Sequence, residues 1–321
     1  MPAHSPLPPL PKSPTLNLER RFEGTVCGID EAGCAPLAGP VVAAAVILPQ
    51  GGKPPVLRGL NDSKLLSAAN RERFHDIIQR IGRVGVGIAT VEEIDTLNIY
   101  RADMLAMQRA YASLPDRADA ALVDGRGAPS LDCTVKTVVK GDRRSLSIAA
   151  ASVIAKVTRD RLMQALAREF PDYGWHTNAG YGTDVHYLGL MRKGPTIHHR
   201  SSFAPLNTLF GPDGPPLDRF RFARLPGKAD VRRLELLRLR QDLHAVFDGA
   251  GHHLGVVKNL RGFWTFQAIG YDDDGNPVAG GGPCSRFHAT RVDSPQPELV
   301  GRLLSTRIIH HPIVARRFQT P

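Results

Sequence analysis

Apolar and polar positions along the first 210 residues alternate between a strand-like and a helix-like period. Val26-Cys27-Gly28-Ile29 is a short apolar run that stops at two acids, Asp30-Glu31. Val41-Val42-Ala43-Ala44-Ala45-Val46-Ile47-Leu48 is uninterrupted, the pattern of a strand covered on both faces. Residues 25–30 and 41–48 are therefore predicted as strands joined by a tight glycine turn. Residues 65–81 have helical spacing, with Ser67 placed to cap the first turn. Residues 84–91 read as a third strand, and 101–113 as a helix with Met104, Leu105, Met107 and Ala110 on one face. Further strands are predicted at 120–125 and 133–139. A long helix follows at 145–170, its Ala149, Ala150, Ala151 and Ala155 small enough for close approach to a sheet. After Leu206 the character changes. Gly211-Pro212-Asp213-Gly214-Pro215-Pro216 reads as a break, 229–247 as a basic amphipathic helix, 254–271 as a hairpin and 272–277 as a turn. Residues 1–22 carry six prolines and few large apolar side chains, so a disordered leader is expected there. No internal repeat is visible.

Three of these strands end in acid: Asp30-Glu31, Asp124 before Gly125, and Asp142 after Lys140-Gly141. Adjacent carboxylates raise one another's pKa unless a cation lies between them, and a divalent ion reverses that cost. Active groups of open α/β sheets gather at strand ends. The pattern points to a metal site. Clustered Asp and Glu without His suit a hard divalent ion such as Mg²⁺ or Mn²⁺.

Composition adds less. At 321 residues the chain can bury a sizeable core. A net charge of +10 suits a polyanionic partner, but the excess is spread, with 16 Lys+Arg against 11 Asp+Glu from Gly211 onward. Cys27, Cys34, Cys133 and Cys284 form no C-x-x-C pair, against a zinc ribbon or disulfide framework. The longest apolar run is too short to span a bilayer, and no basic-then-apolar secretory pattern opens the chain. A reduced cytoplasmic setting, no membrane association and a monomeric chain are the expectations.

With its acids laid out this way, the chain resembles ribonuclease HII (type 2 ribonuclease H) from about residue 25 to 206. The matching blocks include Gly28-Ile29-Asp30-Glu31-Ala32-Gly33, Pro36-Leu37-Ala38-Gly39-Pro40-Val41 and Leu60-Asn61-Asp62-Ser63-Lys64. Further along come Ile94-Asp95-Thr96-Leu97-Asn98-Ile99, Val123-Asp124-Gly125, Lys140-Gly141-Asp142, Ala155-Lys156-Val157-Thr158-Arg159-Asp160, Gly180-Tyr181-Gly182-Thr183 and His199-Arg200-Ser201-Ser202-Phe203. The resemblance implies an α/β, RNase H-like fold, a mixed five-stranded sheet flanked by helices, over 23–207. A linker at 208–218 and a smaller α+β accessory region of unassigned function at 219–321 would follow. It implies metal-assisted hydrolysis of the RNA strand of RNA–DNA hybrids and cutting 5′ of single ribonucleotides embedded in duplex DNA. Two alternatives stay open: a catalytically weak hybrid-duplex binding protein, and another metal nuclease on the same fold.

By resemblance, Asp30, Glu31, Asp124 and Asp142 are the catalytic metal ligands. Asp160 competes for the fourth place, but its i,i+4 spacing from Lys156 is explained by a helical ion pair. Gly33, Cys34 and Ala35 stand where the family usually carries Gly-Arg-Gly, a turn that reads the ribose 2′-hydroxyl and a phosphate partly through main-chain groups. Losing a guanidinium–phosphate contact costs on the order of 1.5–3 kcal/mol, so weaker or less selective binding is expected. Lys64 is implied to touch phosphate and Tyr181 to stack on the sugar beside the scissile junction. His199 and Arg200 either meet the phosphate backbone or anchor their loop. Cys34, beside acids, is expected to be an inert thiol rather than a nucleophile. Asp272–Asp274 lacks the spacing of a calcium loop, and Gly280-Gly281-Gly282 gives no phosphate loop.

Overall fold

The computed structural model describes residues 9–49, 52–211, 220–222, 225, 228–273 and 277–305. The chain divides into two compact units, Met1–Gly214 and Pro215–Pro321. The first is built on β1 (Val26–Ala32), β2 (Val41–Ile47), β3 (Arg83–Ala89), β4 (Ala120–Asp124) and β5 (Thr134–Val138). Their order is β3-β2-β1-β4-β5, with β1–β2 and β2–β3 antiparallel and β1–β4 and β4–β5 parallel. This is the mixed sheet expected. β2 is buried at every position because helices cover both faces. Val41, Ala43, Ala45 and Ile47 enter the core under α3 (Ile99–Ala112), while Ala44 and Val46 face α1 (Ala68–Ile81) and α4 (Leu146–Glu169).

Local chemistry sets the helix ends. The Ser67 hydroxyl accepts from Asn70 N at the start of α1, and Ser145 Oγ accepts from Ile148 N at the start of α4. A Cβ on Gly28 would lie 2.1 Å from the Ser147 carbonyl carbon, so only glycine lets α4 begin directly on β1. The strand predicted to run to Val91 ends at Ala89. Thr90 and Glu93 form a reciprocal capping box that starts α2 (Val91–Leu97).

Two expectations are corrected. Residues 1–8 lie outside the described residues, but residues 15–22 of the expected disordered leader pack against the start of α4 and its neighbours. Thr15 pairs with Ser145, and Thr15 O accepts from Leu146 N at 2.9 Å. The buried Glu19 Oε1 accepts from Ser145 Oγ (2.6 Å), Ser147 N (3.0 Å) and Ser147 Oγ (2.7 Å). A helix N-terminus offers unpaired amides and a positive dipole end, and that attraction does not show in composition. Leu16, Leu18 and Phe22 add apolar contacts.

The second correction is the helix predicted over 229–247. The segment instead holds β6 (Glu235–Arg240) and β7 (Leu243–Phe247), paired antiparallel with Leu237 opposite Ala245. A leucine-rich run satisfies both periods, and Leu243, Ala245 and Phe247 at i, i+2, i+4 are buried together. β8 (His253–Leu260) and β9 (Phe263–Tyr271) form the expected hairpin through Arg261-Gly262, both at positive φ. Among the described residues the second unit also holds β10 (Pro277–Ala279), β11 (Thr290–Val292), a 3₁₀ turn at Ser285–Phe287 and a helix at Pro297–Ser305, and its sheet runs β10-β9-β8-β7-β6 with β11 on β9. The expected linker falls largely on 212–219, and part of the predicted turn on 274–276, outside the described residues.

Candidate active site

Asp30 sits near the end of β1 and Asp124 closes β4. The parallel register pairs Ile29 with Val123, so one step further the two carboxylate-bearing residues stand side by side. Glu31 follows on β1, its amide donating to Asp30 Oδ1 at 2.8 Å. Asp142 lies in a single 3₁₀ turn, Gly141–Arg143, between β5 and α4. Gly141 N donates to Asp124 Oδ1 at 2.5 Å, which ties that turn to the end of β4. Asp160, the competitor, is held by Lys156 Nζ at 2.6 Å within α4.

The electrostatics are those of crowded anions. Asp30 is 4 % exposed, and burial followed by Glu31, Asp124 and Asp142 pushes its carboxyl well above the usual range. Glu31 and Asp124 are raised by burial first, Glu31 also by Asp124. Asp142 is pushed up to about 6 by burial, Asp124 and Asp62. Lys64 partly offsets this, lowering Glu31, Asp124 and Asp142. Its own pKa is raised: burial opposes the charge, but Asp62, Asp30 and Asp142 outweigh it. Four buried or half-buried carboxylates from three segments, oxygen donors with no imidazole among them, fit hard divalent cations. Among the described residues, no three of these four acids have donor atoms within 4.8 Å of one another.

The structure gathers the expected substrate-facing residues around the loop after β1. Gly33 takes φ +100°, and a Cβ there would lie 2.0 Å from Arg159 Nε. Cys34 is half-buried and Ala35 exposed. Burial, then Asp103 and Glu31, push the Cys34 thiol up, so it stays protonated, in keeping with an inert thiol. Tyr181 is 43 % exposed on the neighbouring loop, where Gly180 O accepts from Leu37 N at 2.9 Å. His199 and Arg200 are buried and anchor the loop. Arg200 Nη1 donates to Cys34 O (2.9 Å), Nη2 to Gly33 O (2.6 Å) and Nε to Gly39 O (3.0 Å).

Asp103 is the neighbour that sequence reading missed. Among the described residues, donor atoms of Glu31, Cys34 and Asp103 form the one group of three potential ligands lying within 4.8 Å of one another. Burial and Glu31 raise Asp103 to about 8. The available signal was an acid three and four positions before the buried Ala106 and Met107, on the inward side of α3.

The sequence model described as Ribonuclease HII matches residues 27–206, more than half of the chain. The chain belongs to the ribonuclease HII family. It is 55 % identical over 194 residues to the ribonuclease HII of Paramagnetospirillum magneticum, covering 60 % of this chain and 96 % of that protein. The Granulibacter bethesdensis ribonuclease HII is 54 % identical over 199 residues, 61 % of this chain and 91 % of the relative. Among solved structures, ribonuclease H2 from Pyrococcus horikoshii is 25 % identical with a TM-score of 0.49, covering 57 % of this chain and 95 % of that one. As a ribonuclease HII, the chain is an endoribonuclease of the type that cleaves RNA in RNA–DNA hybrids with divalent metal ions. The match ends before the second unit. No helix among the described residues is long and apolar enough to cross a membrane.

Proposed function

We propose that Asp30, Glu31, Asp124 and Asp142 hold Mg²⁺ or Mn²⁺ and that the enzyme cuts on the 5′ side of a ribonucleotide, including a single one embedded in duplex DNA. The products are 5′-phosphate and 3′-hydroxyl ends. The observation that carries this is the gathering of Asp30 and Glu31 near the end of β1, Asp124 at the end of β4 and Asp142 in the turn whose Gly141 amide bonds Asp124, each carboxyl raised chiefly by burial, a cost that cation binding turns into affinity. When bound, the ions supply a nucleophilic water at neutral pH and stabilise the leaving oxygen. The protein's part is placement. The Gly141 amide orients Asp124 and Asp30 is fixed within β1. Lys64 offers a cation to phosphate at the rim, Tyr181 an exposed ring for the sugar, and Gly33, Cys34 and Ala35 a turn whose backbone meets the ribose. All four cysteines are free, as suits a reducing cytoplasm, and one chain carries every residue named.

A duplex with one embedded ribonucleotide, incubated with Mg²⁺ or Mn²⁺, tests this directly. The wild type is expected to nick it, and intact substrate with both ions would refute the reading. Asp30→Asn is expected to abolish nicking while the circular dichroism spectrum is kept; unchanged turnover would remove Asp30 from the mechanism.

A further inference from the structure

The family's usual arginine is absent from the turn after β1, yet the structure keeps two guanidinium groups beneath that turn. Arg159 and Arg200 are 1 % and 0 % exposed. Arg159 donates to the carbonyls of Pro40, Ala179 and Ala38 at 2.8–2.9 Å. Arg200 donates to Gly33, Cys34 and Gly39. Neither side chain reaches solvent, so neither touches a phosphate.

Peptide geometry gives these bonds a consequence. In a planar trans peptide the N–H points opposite to the C=O it shares a plane with. Turning the Gly33 carbonyl onto Arg200 therefore turns the Cys34 N–H away from it, and turning the Cys34 carbonyl inward turns the Ala35 N–H outward. Among the described residues no internal acceptor takes either amide. Two successive free amides over a buried cation make an anion-binding concavity. Burial and Arg159 lower Arg200 only to about 9, so it remains a cation at neutral pH.

We propose that Arg200, seconded by Arg159, is a positioning residue. It holds the Gly33 and Cys34 carbonyls inward so that the Cys34 and Ala35 amides present a ready-made donor pair to the substrate's phosphate and ribose. This rests on the ribonucleotide-cutting reading above and explains how the turn recognises substrate with a thiol in place of the guanidinium.

The test measures binding apart from cleavage, in the full-length protein with Ca²⁺ in place of the catalytic ions. The probes are a duplex with one ribonucleotide and its all-DNA twin. Arg200→Lys keeps the charge and loses the fork. It is expected to raise Kd for the ribonucleotide duplex by about ten-fold or more, narrow the gap to all-DNA duplex, and leave the salt slope unchanged. In Mg²⁺ the loss should fall on KM rather than kcat. A slope reduced by about one would mean direct phosphate contact, and unchanged Kd in a folded variant would mean no positioning role; either overturns the proposal. Should Arg200→Lys fail to fold, replacing Ala35 by lactic acid deletes one amide with Arg200 intact, and the same Kd rise is expected; unchanged Kd there is fatal too. A wild type that fails to nick would sink the ribonucleotide-cutting reading alone, since the binding comparison stands without cleavage.

Discussion

Trp175 Nε1–H (3.1 Å) and His199 Nε2 (3.0 Å) converge on His186 Nε2, while His186 Nδ1 lies 3.0 Å from the Tyr181 carbonyl. A carbonyl only accepts, so His186 carries its proton on Nδ1 and its Nε2 accepts twice. His199 then donates from Nε2, and its Nδ1 takes the Thr196 amide at 2.9 Å. Every bond is satisfied only when both rings are neutral. Burial lowers His186 to about 4, and burial with His186 lowers His199 to about 3. Depressed histidines bind protons in the unfolded chain before the folded one. Their contribution is complete above the ordinary value near 6.5 and is lost as pH falls toward about 3–4. His199→Gln is expected to flatten the fall of unfolding free energy over that window, by up to about 1.4 kcal/mol per pH unit. Urea titrations of both proteins from pH 7 to 4 check this; the difference between them cancels the acidic cluster, which slopes the other way. Parallel curves would show that the pair stays neutral for another reason. Because this network supports the Tyr181 carbonyl, the pair ties acid tolerance to the placement of the exposed ring proposed to meet substrate.

Elements differ in how openly the sequence declares them. β2 and α1 were legible because an eight-residue apolar run and a serine cap each admit one structure. Asp30, Glu31 and Asp124 were legible as acids near strand ends, whereas Asp142, read the same way, lies in the 3₁₀ turn beyond β5. Asp103 was not legible, since its importance comes from the helix face that folds over the site, and for Arg200 the sequence left phosphate contact and loop anchoring both open until the fold set it beneath the turn. The 229–247 run failed for the same reason, as pairing with β8 decides between two periods that its leucines satisfy equally. The segment before β1 is the sharpest instance. One carboxylate, Glu19, binds the first turn of α4, three residues after Asp142. Glu19→Ala is expected to cost about 1–3 kcal/mol, the usual loss when buried hydroxyls and an amide are left without their acceptor. Hydrogen exchange should accelerate at residues 15–22 and 141–147 together. Unchanged protection at 144–147 would show that the α4 N-terminus holds itself.

The candidate site lies entirely within the first unit, and the matched 194 residues cover 96 % of the Paramagnetospirillum magneticum relative. The first unit has its own core on both faces of its sheet, and the second has a separate one around Val246, Leu254, Phe266 and Val300. Truncation after Gly211 should therefore leave a folded enzyme with kcat and metal requirement intact. Binding should change. The removed segment carries 16 Lys+Arg against 11 Asp+Glu, and Arg233, Arg238 and Arg261 are among its exposed side chains. Each phosphate contact contributes about 0.9 to the slope of log affinity against log salt. The truncated chain is accordingly expected to bind hybrid duplex more weakly at low salt, with a slope shallower by about one or more and little difference at high salt. Equal slopes would mean that the second unit's charge faces water rather than nucleic acid. A fall in kcat would mean something further: that the first unit, for all its separate core, needs the second to hold its acids in place.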